Sequence, residues 1–233
     1  MVSRILDLTE IERSLRTVQR DYASINRRLN GERAEFSDQV LRNLLAGYRM
    51  VDALVHTGVD LFSLGNSHSI LELNNVVLYG PAGDSIRQRY AAQLLASERH
   101  FYEVDEGGVG DLIEFHQRRH FGDSRDEAAS IYVRMLTRPQ LFIEGNHRTG
   151  ALLISYILVR DGQPPFVLTP ENAKDFFDPS AAIGRIKKRS LAMILRGRRL
   201  RRHFIGLLER TANPAYLVRS GPSIIRRPRD GTL

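Results

Sequence analysis

Leu8, Ile11, Leu15, Val18, Tyr22, Ile25 and Leu29 recur at alternating steps of three and four residues. That spacing is one apolar face of an α-helix. Thr9 and Glu12 read as a capping box at its start, and Gly31 as its end. The stripe packs on the body of the protein or, alternatively, forms a three-heptad seam in a homo-oligomer. A second face follows at Val40, Leu44, Tyr48, Val51 and Val55, ending before Gly58. Residues 69–79 form a short apolar helical segment, and Asp84 opens another running to about Arg99. Ser124 and Glu127 suggest a second capping box, ahead of Ala128, Ile131, Tyr132 and Met135. Pro139 stops that helix. A further one carries Leu152, Leu153, Tyr156 and Ile157 and closes at Gly162.

Thr169-Pro170 and Asp178-Pro179 each place a capping residue before a first-turn proline. Alternating strand patterns are short of any real length. Phe101–Val104 before Gly107-Gly108 is the single candidate arm of a β-hairpin flap. The expected fold is therefore a mainly α-helical bundle, divided into an N-terminal helix (1–35), a helical domain (36–205) and a loosely held basic tail (206–233).

Composition narrows the chemistry. The 233 residues suffice for one substantial core. With no cysteine, disulfides, thiol nucleophiles and cysteine-bound metals are excluded. No apolar run approaches the roughly 20 residues that cross a bilayer. The N-terminus lacks the apolar core of a signal peptide. A cytoplasmic protein is expected, with export by a dedicated secretion system left open. The net charge of +7 conceals an asymmetry, since residues 1–184 carry −5 and residues 185–229 carry +13.

One loop concentrates candidate chemistry, Gln140-Leu-Phe-Ile-Glu-Gly-Asn-His-Arg-Thr-Gly-Ala151. Phe142 anchors it and Glu144 points a carboxylate outward. Gly145 and Asn146 open the next helix, where unpaired N–H groups and the helix dipole favour a phosphate. Arg148 adds a planar cationic fork. A carboxylate beside a phosphate is reconciled by a bridging divalent cation such as Mg²⁺.

The run resembles the signature of the Fic (Fido) family, His-x-Phe-x-Asp/Glu-Gly-Asn-Gly-Arg-x-x-Arg on a helix–loop–helix. Phe142, Glu144, Gly145, Asn146 and Arg148 fall in register, and the likeness extends over about residues 40–200. It implies a Fic-like helical bundle that transfers AMP from ATP, or a related phosphate-containing group, to a protein hydroxyl. On that likeness Glu144 holds Mg²⁺, Gly145 and Asn146 line an anion hole, and Arg148 binds phosphates.

Three positions depart from the pattern. Gln140 stands at the general-base histidine and cannot titrate, a loss worth about 10²–10⁴-fold in rate. His147 replaces the second glycine and is the substitute base to weigh. Ala151 replaces the final arginine. Ser69-Ile-Leu-Glu72-Leu-Asn-Asn75 resembles a weakened form of the family's inhibitory helix, with Glu72 as its glutamate. Two functions follow: a nucleotide-binding protein with altered or lost transfer, or a non-catalytic adaptor.

Two further clusters bear on partners. His116 and His120 stand at i, i+4, a spacing that chelates zinc, although exposed or hydrogen-bonded histidines are the ordinary outcome. Arg185–Arg202 alternate with Leu191, Ile194, Leu195, Leu200 and Phe204. This reads as the solvated side of a packed helix, or as a surface for an acidic protein, a membrane or nucleic acid.

Overall fold

A computed structural model describes residues 4–63, 65–81, 83–104 and 106–218. Among the described residues ten α-helices succeed one another, with isolated β-bridges in place of a sheet. The mainly helical fold is as expected.

The first helix, α1 (Leu8–Arg27), buries Ile11, Leu15, Val18, Tyr22 and Ile25. Its stripe lies against α2 (Asp38–His56) within the same chain. The cap is Asp7, whose carboxylate accepts from the Thr9 and Glu10 N–H groups. The N-cap thus sits two residues before Thr9, and the Asp7 N–H donates to the Tyr216 carbonyl, so the expected Thr9–Glu12 capping box does not form. The helix also ends four residues before Gly31, with Arg28 as C-cap. α3 (His68–Tyr79) follows, then α4 (Asp84–Arg89) and α5 (Ala91–Glu103), separated at Tyr90 where one helix was expected. Phe101–Glu103, the supposed hairpin arm, is the last turn of α5. Phe101 is fully buried there and stacks on Phe142 at 5.4 Å, so local β-propensity yields to packing.

After α6 (Val109–Gln117) comes α7 (Ser124–Leu136), capped by Asp123 and not by Ser124. Glu127 belongs to the interior: it is 3% exposed, accepting from Arg160 at 2.7 Å and paired with His116 at 3.0 Å. His116 also stacks on Phe62, while His120 lies beyond the end of α6. The two histidines are therefore not neighbours on one helix face.

The centre of the molecule is α8 (Asn146–Arg160), buried almost all round. It contacts α2, α3 and α7. Gly150 permits the closest approach: a Cβ there would lie 2.4 Å from the Tyr132 ring. The Phe166 carbonyl joins α2 to α8 by accepting from both Tyr48 and Ser155.

In α9 (Ala173–Ile183) Pro179 is internal, so Asp178 is not its N-cap. The missing proline N–H would have met the carbonyl four residues earlier. That carbonyl, on Asp175, takes its bond from His203 Nε2 at 2.8 Å. His203 lies on α10 (Leu191–Thr211), which runs through the 205/206 boundary. Beyond it, Tyr216 is buried, and Leu217 forms an antiparallel bridge with Leu6. Residues 206–218 are integral to the fold, and the rest of the supposed tail lies outside the described residues. No helix among them is long and apolar enough to cross a membrane.

Within the basic segment, Lys188 is 7% exposed, not solvated, and bonds Asp111 at 3.0 Å beside Arg134. Leu191, Ile194 and Leu195 are exposed, where the sequence pattern had grouped them with core residues.

Candidate functional site

The loop from Thr137 to Gly145 links α7 to α8 and is fastened from inside. Asn146 Nδ2 donates to the Phe142 carbonyl at 2.7 Å and to Gln140 Oε1 at 3.2 Å. Its Oδ1 accepts from the Phe142 N–H at 3.1 Å. The expected anion-hole side chain is thereby spent on holding the loop. Asn74 of α3, fully buried, supports the same turn from the other side. Its Nδ2 donates to the Glu144 carbonyl and to Thr149 Oγ1. Sequence reasoning singled out Glu72 on this helix and passed over Asn74. The available signal was an amide among Leu73, Val76 and Val77, positions that otherwise face the core. Glu72 has no ion-pair partner among the described residues, and position 151 offers it an alanine.

Gly145 adopts φ 78°, a left-handed conformation suited to glycine. A Cβ there would also meet Asn74 Nδ2 at 2.7 Å. This turn starts α8 without a side-chain cap, and the Thr149 N–H to Gly145 carbonyl bond is its first rung. The amides of Asn146, His147 and Arg148 precede that rung.

A cavity of about 280 Å³ opens at this end of α8. Gly145–Arg148 form one side; Tyr22, Phe36, Phe166, Phe176 and Phe177 contribute its aromatic wall. The stretch connecting α1 to α2 closes it and brings in Arg33, which sequence reasoning missed. Nothing in the local pattern marks that arginine, because its neighbours in space are 114 and 144 residues away. Arg33 Nη1 meets His147 Nε2 at 3.1 Å, and Nη2 donates to the Phe177 carbonyl. Its guanidinium also lies 5.1 Å from the Phe177 ring centroid. Arg148 donates from Nη1 to the Val77 carbonyl at 2.8 Å. Neither arginine makes an ion pair with a described carboxylate. Burial holds the Arg148 pKa below its ordinary value, with Glu144 opposing the shift.

His147 is locked into a chain of polar groups. Because Arg33 can only donate, Nε2 must accept, which leaves the ring proton on Nδ1. Nδ1 then donates to Tyr132 Oη at 3.3 Å, Tyr132 to Ser180 Oγ at 2.8 Å, and Ser180 to the Phe176 carbonyl. Burial, then Arg33 and Arg148, push the His147 pKa down to about 4. The ring is neutral at physiological pH, yet its one lone pair already faces Arg33. It is a poor candidate for taking a proton from a hydroxyl.

Gln140 faces elsewhere. Its Nε2 donates to the Leu136 carbonyl, and its backbone carbonyl lies 3.0 Å from His100 Nε2. It lines a second recess, apart from the residues around His147. The two candidate base positions therefore do not converge. Glu144 is exposed and is not part of the aromatic cavity's lining. Among the described residues no three His, Asp or Glu side chains gather as a metal cluster. A divalent cation at Glu144 would have a single protein carboxylate to hold it.

Comparisons with protein-family models, curated proteins and solved structures found no significant match.

Proposed function

We propose that this chain is a Fic-like protein that holds a nucleotide, or another phosphate-bearing ligand, at the start of α8, with its group-transfer chemistry altered or lost. The observation that carries this is a convergence. Two guanidinium groups without carboxylate partners, Arg33 and Arg148, and an uncapped helix start meet in one aromatic-walled cavity. Partly buried cations without a carboxylate beside them call for an anion, and planar forks with free amides suit phosphate oxygens. The cavity lies near the lower end of ligand-site sizes, so it encloses a ring or a phosphate with the remainder at its mouth. Mg²⁺, if bound, would sit at Glu144 and supply charge neutralisation on phosphate oxygens. The chain's own residues bind and orient: Arg148 reaches the anion, and Asn146 keeps the loop in shape.

Titration calorimetry with ATP, with and without Mg²⁺, tests the binding. Wild type should bind, and Arg148→Ala and Arg33→Ala should each weaken binding by about tenfold or more, the worth of one charge-assisted hydrogen bond. Absence of binding to wild type, or equal affinity in both variants, would overturn the reading.

The adaptor reading draws on Gln140, whose carboxamide is hydrogen-bonded to Leu136 and Asn146 at the two ends of the loop and cannot titrate. Transfer of labelled nucleotide in a lysate separates the two. Labelling abolished by Glu144→Ala and Arg148→Ala supports transfer, and none with the wild type supports the adaptor.

A further inference from the structure

Along α10 the apolar residues fall on opposite sides. Gly197, Phe204, Leu207 and Leu208 are buried against the body. Leu191, Ile194 and Leu195 point away from it, at 77%, 70% and 79% exposed. A helix seated by its core stripe ordinarily turns polar residues to water on that side. Three large aliphatics within a turn and a half are instead a contiguous apolar patch, the kind of surface that marks an interaction site. Seven and eleven residues beyond Leu191, Arg198 and Arg202 continue the same line, with Arg199 beside them. All three arginines are exposed, and none has a carboxylate partner among the described residues.

The second recess, about 760 Å³, opens beside the first turn of this helix, with Ser190 in its lining. Arg138 and Lys187, both exposed and without a carboxylate partner among the described residues, line it side by side at the short bridge that joins their backbones. Ile143, 55% exposed, also lines this recess. The lining holds one carboxylate, Glu106, paired with Arg189 at 2.8 Å, and Lys188 is spent on Asp111, so exposed aliphatics flank a hollow whose free charges are Arg138 and Lys187.

We propose that this face docks on an anionic lipid bilayer. α10 lies along the interface with Leu191, Ile194 and Leu195 at the boundary of headgroups and acyl chains, and the hollow between Arg138 and Lys187 receives a lipid phosphate. Charge complementarity selects the occupant, since residues 185–208 contain no acidic side chain. A bilayer offers both the negative charge and the apolar layer that this helix face requires. Nucleic acid would satisfy the cations and leave the aliphatics in water. A second copy would bring like charges together. The proposal is independent of the ligand at the start of α8.

Vesicle flotation of the full chain tests it, comparing phosphatidylcholine alone with vesicles holding about 30% phosphatidylserine. Flotation is expected with the anionic vesicles only. Leu191→Ser/Ile194→Ser/Leu195→Ser should abolish it, and Arg198→Ala/Arg202→Ala should weaken it by at least about tenfold. Arg198→Lys/Arg202→Lys should retain it. These side chains lie outside the core, and circular dichroism will verify folding; if the serine variant misfolds, the two arginine pairs decide. The proposal falls if wild type ignores anionic vesicles, binds both compositions equally, or floats unaffected by these substitutions. RNA binding indifferent to the serine changes, or self-association removed by them, each without flotation, would also overturn it.

Discussion

Asn146 holds Phe142 by both of its backbone polar groups, donating to the carbonyl at 2.7 Å and accepting from the N–H at 3.1 Å. The residue that a motif reading places in an anion hole is therefore a clamp on the chain segment before it. Phe142 is 2% exposed, so water has little access to those groups once the clamp is gone.

Asn146→Ala should accordingly destabilise the protein by about 1–3 kcal/mol, the cost of leaving buried backbone groups unpaired. Asn146→Asp should do no better. It keeps the acceptor for the Phe142 N–H but turns a second acceptor toward the Phe142 carbonyl. Urea unfolding monitored by circular dichroism measures both.

Gly150→Ala places a methyl 2.4 Å from Tyr132 Cε2, and Met135 Sδ lies 3.2 Å away on the same side. Tyr132 cannot yield easily, being pinned by Phe176 and Phe204. Overpacking of this kind costs about 1–3 kcal/mol, although alanine is the better helix former. A higher melting temperature than wild type would contradict the close α7–α8 contact.

His147 gives the pH dependence a clear sign. Its folded pKa, about 4, lies below the ordinary 6.5, so the unfolded chain binds the extra proton first as pH falls. Its contribution to stability is full above about pH 6.5, declines between there and pH 4, and is constant below that. The total is at most about 3 kcal/mol, from 1.36 kcal/mol per pKa unit. The slope of unfolding free energy over this window should flatten in His147→Gln. An NMR titration of the ring with a midpoint near 6.5 would refute the buried network.

Glu127 acts on a lower window. Burial alone would raise its pKa, but His116 and Arg160 outweigh burial and hold it below the ordinary carboxylate value. Its contribution is present above the unfolded value of about 4.3 and disappears as pH falls through the lower folded one. Glu127→Gln should cost about 1–3 kcal/mol at neutral pH, since it leaves the half-buried Arg160 with only the longer, solvent-exposed ion pair to Asp60 at 3.5 Å. Denaturation at pH 7 and pH 3 should show the variant's deficit shrinking in acid.

The sequence made some of this legible and hid the rest for physical reasons. The stripe of α1 and the buried run of α8 follow from helical periodicity, because burial on one or all sides leaves a repeat in residue type. Caps were misplaced by one residue at Asp123 and two at Asp7. Several Asp, Ser and Thr residues stand near each start, and only backbone geometry decides which is used. Pro179 inside α9 was invisible because its tolerance depends on His203, 24 positions along the chain. The loop's special residues stood out, but not their duties: Asn146 is a clamp and His147 a buried neutral link. Arg33 carried no local signal at all. Leu191, Ile194 and Leu195 were legible as a helix face, yet periodicity cannot say which side of a helix meets the body.

The pairing of Leu6 with Leu217 sets an order in time. Asp7 donates its N–H to the Tyr216 carbonyl, and Ser14 Oγ meets Tyr216 Oη across 202 residues of sequence. At roughly 5–20 residues per second of synthesis, the first helix waits about 10–40 s for that partner. Once residue 52 has been made, 46 residues after Leu6, its carboxylate, which accepts from the Ile5 and Leu6 N–H groups, can hold the leading segment in place for the rest of that interval. Asp52 is thus positioned to act as a placeholder during translation, and Asp52→Ala would expose a nascent chain to proteolysis before its last helix has left the ribosome.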